Sequence, residues 1–345
     1  MGRVGRRLLV LNFAMDEDHP VLGFGVSWVA ALAEHVDRID VVTGTVGGFT
    51  LPSNVSVHDA DWRPGSDIGN SLRLRQTVRR VLRTEHPNAV FTHMAAPYAA
   101  LVGPDIRLRR IRHVLWYAHV SRSKGLMLAY PWVQAIATST PESCPLHGTK
   151  VRAIGQGIDL STFSPVEHSF KEVERAVHWG RADPSKRLQH VLEAVNRSRI
   201  ETGSPASFTQ IGSPSTPSAS DDWREVLEDF PNGGLLQWVE GVPQDELRDL
   251  SAEFDVFLHA FTGSMDKAAL EAAATGLPVL SENPSVRREV GAWPGPAELA
   301  AQLVSFVQSS ATDREAFAAQ QQQRVREHHS LEALTEKLID VIYPG

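Results

Sequence analysis

Twice along this chain, short apolar runs alternate with segments of helical spacing, and that alternation leaves few folds open. A run of four to eight apolar residues between turn signals reads as a strand buried on both faces. A helical segment between two such runs carries the chain back to start a parallel neighbour. The first series places strands at 7–13, 39–45, 56–60, 89–93, 113–119, 135–138 and 151–155, with helices at 25–34 and 71–84. The second places strands at 175–179, 207–211, 235–239, 256–260 and 278–281, with helices at 185–195 and 267–275. A Ser/Pro-rich stretch at 213–221 reads as a loop, and the Gln run at 320–323 as exposed surface of a helical tail. At 345 residues the chain exceeds what one core usually holds. The pattern therefore predicts an α/β protein of two doubly wound Rossmann-like domains, 1–165 and 166–325, facing a cleft. Segment 159–170, with Pro165 and no periodicity, reads as the linker, and a last helix over about 326–345 packs back on the first domain. Ligands of such sheets sit beyond the carboxyl ends of the strands.

Charge and composition then remove whole classes of function. A formal net charge of -7 opposes general nucleic-acid binding, which needs a basic field. Cys144 is the only cysteine, so no intramolecular disulfide and no Cys-rich zinc site can form, in keeping with a reducing cytoplasm. Residues 1–7 are basic, but the apolar run behind them is short, contains Asn12 and meets Asp16, Glu17 and Asp18. It reads as a first strand and its loop, not a signal peptide. No stretch approaches the ~20 apolar residues of a spanning helix. Between Arg63 and His113, ten Arg residues face three acids, Asp67, Glu85 and Asp105. A solvated helix face explains this first; a patch for a phosphorylated substrate or for anionic lipid, the latter as peripheral contact at the inner membrane face, is the alternative.

The glycines near the first strand do not make a dinucleotide site. Gly23-Phe24-Gly25-Val26-Ser27-Trp28 opens like G-x-G-x-x-G, yet Trp28 stands where a small residue must let helix and strand approach. Anion chemistry concentrates instead in the second series. Gly180-Arg181-Ala182-Asp183-Pro184-Ser185-Lys186 follows a predicted strand: Arg181 offers a planar fork to phosphate oxygens and Lys186 a mobile point charge. Asp183 or Ser185 is a candidate helix cap. Farther on, Gly263, Ser264, Met265, Asp266 and Lys267 lead from another strand into a helix whose N-terminal N–H groups can hold an anion. Glu271 lies inside that helix, flanked by Leu270 and five alanines, so it reads as a packed carboxylate needing a hydroxyl or amide partner. No Asp-x-Asp occurs where a metal-dependent transferase would use one, and Asp16–Asp18 reads as solvated, so no metal is expected.

Three segments together resemble the retaining, nucleotide-sugar-dependent glycosyltransferases of family 4. They are Gly155-Gln156-Gly157-Ile158-Asp159 with Phe163-Ser164-Pro165, the Gly180–Lys186 stretch, and Leu270-Glu271-Ala272 with Gly276-Leu277-Pro278-Val279. The resemblance implies the GT-B fold and no cofactor beyond the nucleotide-diphosphate sugar as co-substrate. Carried over by motif, Arg181 and Lys186 hold the donor diphosphate and Glu271 the ribose hydroxyls. Gly23 and Gly25 form a turn near the phosphates, and His119 lies near the sugar. Gly212 and Val242 fall on the donor side, Val242 in a Val239-Glu240-Gly241-Val242 stretch resembling the family's nucleobase strand and turn. His93 and Tyr98 are further candidates for the acceptor or sugar side. One position departs from the family, which commonly has two Glu residues eight apart: the second is Glu271, and the first is here Gly263. Asp266 or Lys267 is the candidate replacement for that missing carboxylate.

The resemblance implies an acceptor that is a small molecule, a glycan or a lipid-linked sugar. Two alternatives stay open: a GT-B enzyme of other chemistry, such as a nucleotide-sugar epimerase or a pseudo-glycosyltransferase coupling enzyme, and a non-catalytic sugar-nucleotide binding partner.

Overall fold

The computed structural model describes residues 5–19, 22–229 and 236–345. They divide into two compact units, residues 1–157 with 331–345, and residues 158–330. In the first unit, β1 (Arg7–Met15), α1 (Phe24–Ala33), β2 (Arg38–Val46), β3 (Val55–Asp59), α2 (Asp67–Thr84), β4 (Ala89–His93), α3 (Ala96–Leu108), β5 (Arg112–Trp116), α4 (Lys124–Ala129), β6 (Ala135–Thr138) and β7 (Val151–Ala153) follow one another. In the second come β8 (Arg175–Trp179), α5 (Leu188–Thr202), β9 (Ser207–Ile211), α6 (Pro217–Asp229), β10 (Leu236–Val239), α7 (Gln244–Ser251), β11 (Val256–His259), α8 (Lys267–Thr275), β12 (Val279–Ser281), α9 (Pro284–Glu289), α10 (Leu299–Gln308) and α11 (Ala311–His329). The last helix, α12 (Leu331–Ile342), returns to the first unit.

Among the described residues the first sheet has the order β3-β2-β1-β4-β5-β6-β7 and the second β10-β9-β8-β11-β12, every pairing parallel. Strand geometry explains the continuous apolar runs, since successive side chains point to opposite faces and both faces here are covered. Leu8, Val10, Ile39, Val41 and Phe91 pack with α1 and α12 on one face; Leu9, Leu11, Val42 and Val90 pack with α2 and α3 on the other. In α2 the buried residues Leu74, Val78, Val81 and Leu82 recur at helical spacing. Arg75 and Arg79 leave that stripe to pair with Asp105 on α3, at 2.7 and 2.8 Å. No helix of the described residues is long and apolar enough to cross a membrane.

Several expectations shift. The first unit ends at Gly157 and not at 165, because Ile158 and Phe163 are buried in the second unit's core. Strand β5 stops at Trp116; Tyr117 still donates its backbone N–H to the Ala137 carbonyl at 2.9 Å, and its hydroxyl donates to the Ser121 carbonyl at 2.7 Å. Helix α3 escaped the sequence reading because Pro97 and Pro104 punctuate it, one in its first turn and one inside. Part of 213–221 is helical, since α6 starts at Pro217. The expected helix at 185–195 is a 3₁₀ turn, Pro184–Lys186, followed by α5, with Arg187 between them in the left-handed region at φ 53°. The Gln run is not all surface: Gln321 is fully buried, and its amide donates to the Val279 carbonyl at 2.9 Å and accepts from the Val279 N–H at 2.8 Å. It thereby pairs the open edge of β12. Residue 235, expected to start a strand, lies outside the described residues.

Candidate functional site

All strands of the second sheet run parallel, so the loops after β8, β9, β10 and β11 emerge at one end of it. The loops after β8 and β9 meet through glycine. Gly180 and Gly212 have φ of +127° and +118°, and a Cβ on Gly212 would lie 2.3 Å from the Gly180 carbonyl oxygen. Only glycine fits that backbone at that distance. Buried Gln210 locks the pair by donating to the carbonyls of Gly180 (2.8 Å) and Ile211 (3.1 Å). Its oxygen takes the Nδ1 hydrogen of His178 at 2.7 Å, and burial pushes that imidazole down to about 3, so it is neutral.

Arg181 and Lys186 leave this turn for different surroundings. The guanidinium of Arg181 is mostly exposed and lies 3.2 Å from the Asp183 carboxylate. Asp183 does not cap the helix; its Oδ1 accepts from the backbone N–H of Ser215 at 2.9 Å. Lys186 is buried, ion-paired with Asp266, and has the Phe261 ring centroid 4.8 Å from its ammonium. Asp266 is the N-cap of α8, where its side chain accepts from the Ala268 N–H at 3.4 Å, and His259 Nε2 lies 3.3 Å from its other oxygen. Burial alone would raise this carboxyl, but Lys186 and His259 hold it well below the usual carboxylate range.

At Gly263 a Cβ would fall 2.3 Å from the tip of the Phe261 ring, so that ring fills the space beside it. The carbonyls of Phe261, Gly263 and Ser264 all accept from the amide of buried Asn283, at 3.0, 3.3 and 3.3 Å, which fixes the loop. Met265 is buried in the core and Val242 packs against the same cluster. Lys267 and Glu271 stand one turn apart on α8. Burial raises the Glu271 carboxyl to about 7 against the pull of Lys267, and lowers the Lys267 ammonium to about 8. Trp179 lies beside Glu271. Lys186, Asp266, Lys267 and Glu271 are therefore brought together, two cations and two carboxyl groups of which Lys186 and Glu271 are buried and the other two half-buried, able to meet a polyanion and hydroxyl groups.

In the first unit the candidates divide. A Cβ on Gly23 would meet the Glu17 carbonyl oxygen at 2.5 Å, whereas one on Gly25 finds nothing nearer than 3.6 Å. Their N–H groups already donate within the turn, Gly23 to the His19 carbonyl at 3.0 Å and Gly25 to that of Leu22 at 2.9 Å. His93 is buried and stacks on Trp28, ring centroids 4.4 Å apart. Tyr98 is a core residue against Phe13, its hydroxyl beside Gly44 and pushed up to about 12 by burial. His119 is exposed on the loop after β5, 6.0 Å from the Tyr117 ring. Sequence reasoning missed His178, Gln210, His259, Phe261 and Asn283. His259, Phe261 and Asn283 stand at or just beyond strand ends and His178 and Gln210 are next to last in theirs, so a polar or aromatic residue near the close of a strand was the available signal.

Two doubly wound parallel units of this order have the fold of the GT-B glycosyltransferases. Sucrose-phosphate synthase from Thermosynechococcus elongatus superposes over 96% of this chain and 97% of its own, with a TM-score of 0.73 and 14% identity. HepE from Anabaena, in complex with UDP and glucose, superposes over 98% and 99%, with a TM-score of 0.73 and 12% identity. WaaG, a glycosyltransferase involved in lipopolysaccharide biosynthesis, does so over 98% and 100%, with a TM-score of 0.65 and 15% identity. Likeness at these identities is one of fold. No protein-family model and no curated protein matches the sequence.

Proposed function

We propose that the chain transfers a sugar from a nucleotide-diphosphate sugar to an acceptor, retaining the anomeric configuration and using no metal. The observation that carries this is the set at the N-terminus of α8, where Lys186, Asp266 and Glu271 converge beside the Gly180–Gly212 turn. Breaking the anomeric C–O bond builds negative charge on the departing diphosphate. Arg181, Lys186 and the amides opening α8 are the groups of this unit that would stabilise it. Glu271 would accept from the ribose hydroxyls, alongside the Trp179 side chain that already lies against it. That HepE was solved with UDP and glucose supports such a ligand for this fold. Acceptor recognition we assign to the first unit's loops, exposed His119 among their residues. Attack from the face of the departing phosphate is the route to retention.

The test is release of nucleoside diphosphate from UDP-, GDP-, ADP- and TDP-sugars, with and without candidate glycan or lipid-linked acceptors, followed by the anomeric coupling of the product. Acceptor-dependent release with retained configuration is expected. Inversion, or a strict divalent-metal requirement, would contradict the proposal, and binding without any turnover would favour a non-catalytic sugar-nucleotide partner. The exposed Ile68 and Leu72 beside the Arg residues of α2 support peripheral contact with anionic lipid. Failure to sediment with anionic vesicles would remove that part alone.

A further inference from the structure

The buried cation of the second unit already has an anion. Lys186 is 9% exposed, with the Asp266 carboxylate paired to it and the Phe261 ring 4.8 Å away. A carboxylate cannot donate, so the 3.3 Å contact from His259 Nε2 to Asp266 requires the imidazole hydrogen on Nε2. In the neutral ring Nδ1 then accepts, and the Ser281 hydroxyl 2.8 Å away supplies the hydrogen while taking the Asn283 N–H at 3.0 Å. A directed chain, from Asn283 through Ser281 and His259, thus ends on Asp266. The same carboxylate caps α8, accepting from Ala268 at 3.4 Å. Its two oxygens occupy both things that would attract a phosphate here, the ammonium and the helix N-terminus.

We infer that Asp266 is a resident counter-ion that competes with the donor's diphosphate for Lys186 and the start of α8, and so sets the affinity of the site. This rests on the transfer reading and deepens it: Asp266 replaces no sugar contact but restrains the grip on nucleotide. The diphosphate enters by displacing the carboxylate from the ammonium, and the departing product is expelled by its return. Phe261, filling the space beside Gly263, keeps the ammonium facing that carboxylate.

Calorimetric titration of the full chain with inorganic pyrophosphate, and separately with UDP, tests this in wild type, Asp266→Asn, Asp266→Gly and the double variant Asp266→Asn with Lys186→Gln. Both single variants are expected to bind pyrophosphate at least tenfold more tightly than wild type, and the gain disappears in the double variant. Unchanged or weaker binding by either variant, with native circular dichroism, overturns the inference. So does a gain that survives loss of Lys186. Loss of folding in both single variants also overturns it, by making Asp266 a structural partner and not a displaceable one. Wild-type donor turnover with no affinity gain in the variants would sink this inference alone. A gain without turnover of any donor would sink the transfer reading instead.

Discussion

Glu271 is where burial and chemistry pull hardest against each other. Its carboxyl titrates at about 7 because desolvation outweighs the attraction of Lys267. Between the unfolded value of 4.5 and about 7, the native chain holds a proton the unfolded chain has released. Stability from this group is therefore complete below pH 4.5 and declines as the pH rises through 7. Glu271→Gln removes that slope, so relative to wild type it is expected to gain about 1–3 kcal/mol between pH 5 and pH 8, read by urea unfolding at both. In the role proposed for Glu271, the same variant replaces a charged carboxylate with a neutral amide at the ribose hydroxyls, and its nucleotide binding should weaken roughly tenfold at pH 8, where the wild-type group is ionised. Gly212→Ala combines a φ of +118° with a 2.3 Å backbone clash, and an unfolding cost of about 2 kcal/mol or more is expected. Glu271 was legible in the sequence because alanines around a carboxylate announce a packed helix face. His259 and Asn283 were not, because each acts on partners fixed only by the sheet: Asp266 lies after a loop and the Phe261 carbonyl 22 residues away.

Elements follow the same division between local and non-local causes. Strands β4, β8 and β9 run between the bounds expected for them residue for residue, their buried apolar side chains interrupted by polar residues. Helix α8 was equally plain, with Asp266 as its cap and Gly276 ending it at φ +96°. The edge of β12 could not be read, because its partner is a single side chain 42 residues on. Gln321→Ala strands a buried N–H and a buried carbonyl, each worth about 1–3 kcal/mol when left unpaired. Gln323, which pairs with Glu327 on the exposed side of α11, is the control: Gln323→Ala should stay within about 0.5 kcal/mol of wild type in the same denaturation series.

At the scale of the whole molecule, the division into two units carries the account. Helix α12 belongs to the first unit, where Leu334, Leu338, Ile339 and Ile342 are buried against strands β4 to β6 and α1. Each such side chain contributes about 1.5–3 kcal/mol, so four together rival the stability of an ordinary domain. Removing residues 331–345 should unfold the first unit while leaving 158–330 resistant to limited proteolysis. The two-domain architecture was legible from the alternation of runs, whereas the split at 157 depends on which core claims Ile158 and Phe163.

The most direct test of a nucleoside diphosphate held by the second unit is calorimetric titration of the intact chain with UDP, GDP, ADP and TDP. Wild type, Lys186→Ala and Glu271→Gln are compared in parallel. Saturable binding of at least one of the four, weakened tenfold or more by each substitution, is the expected result. Binding of none, or binding indifferent to both residues, would contradict it.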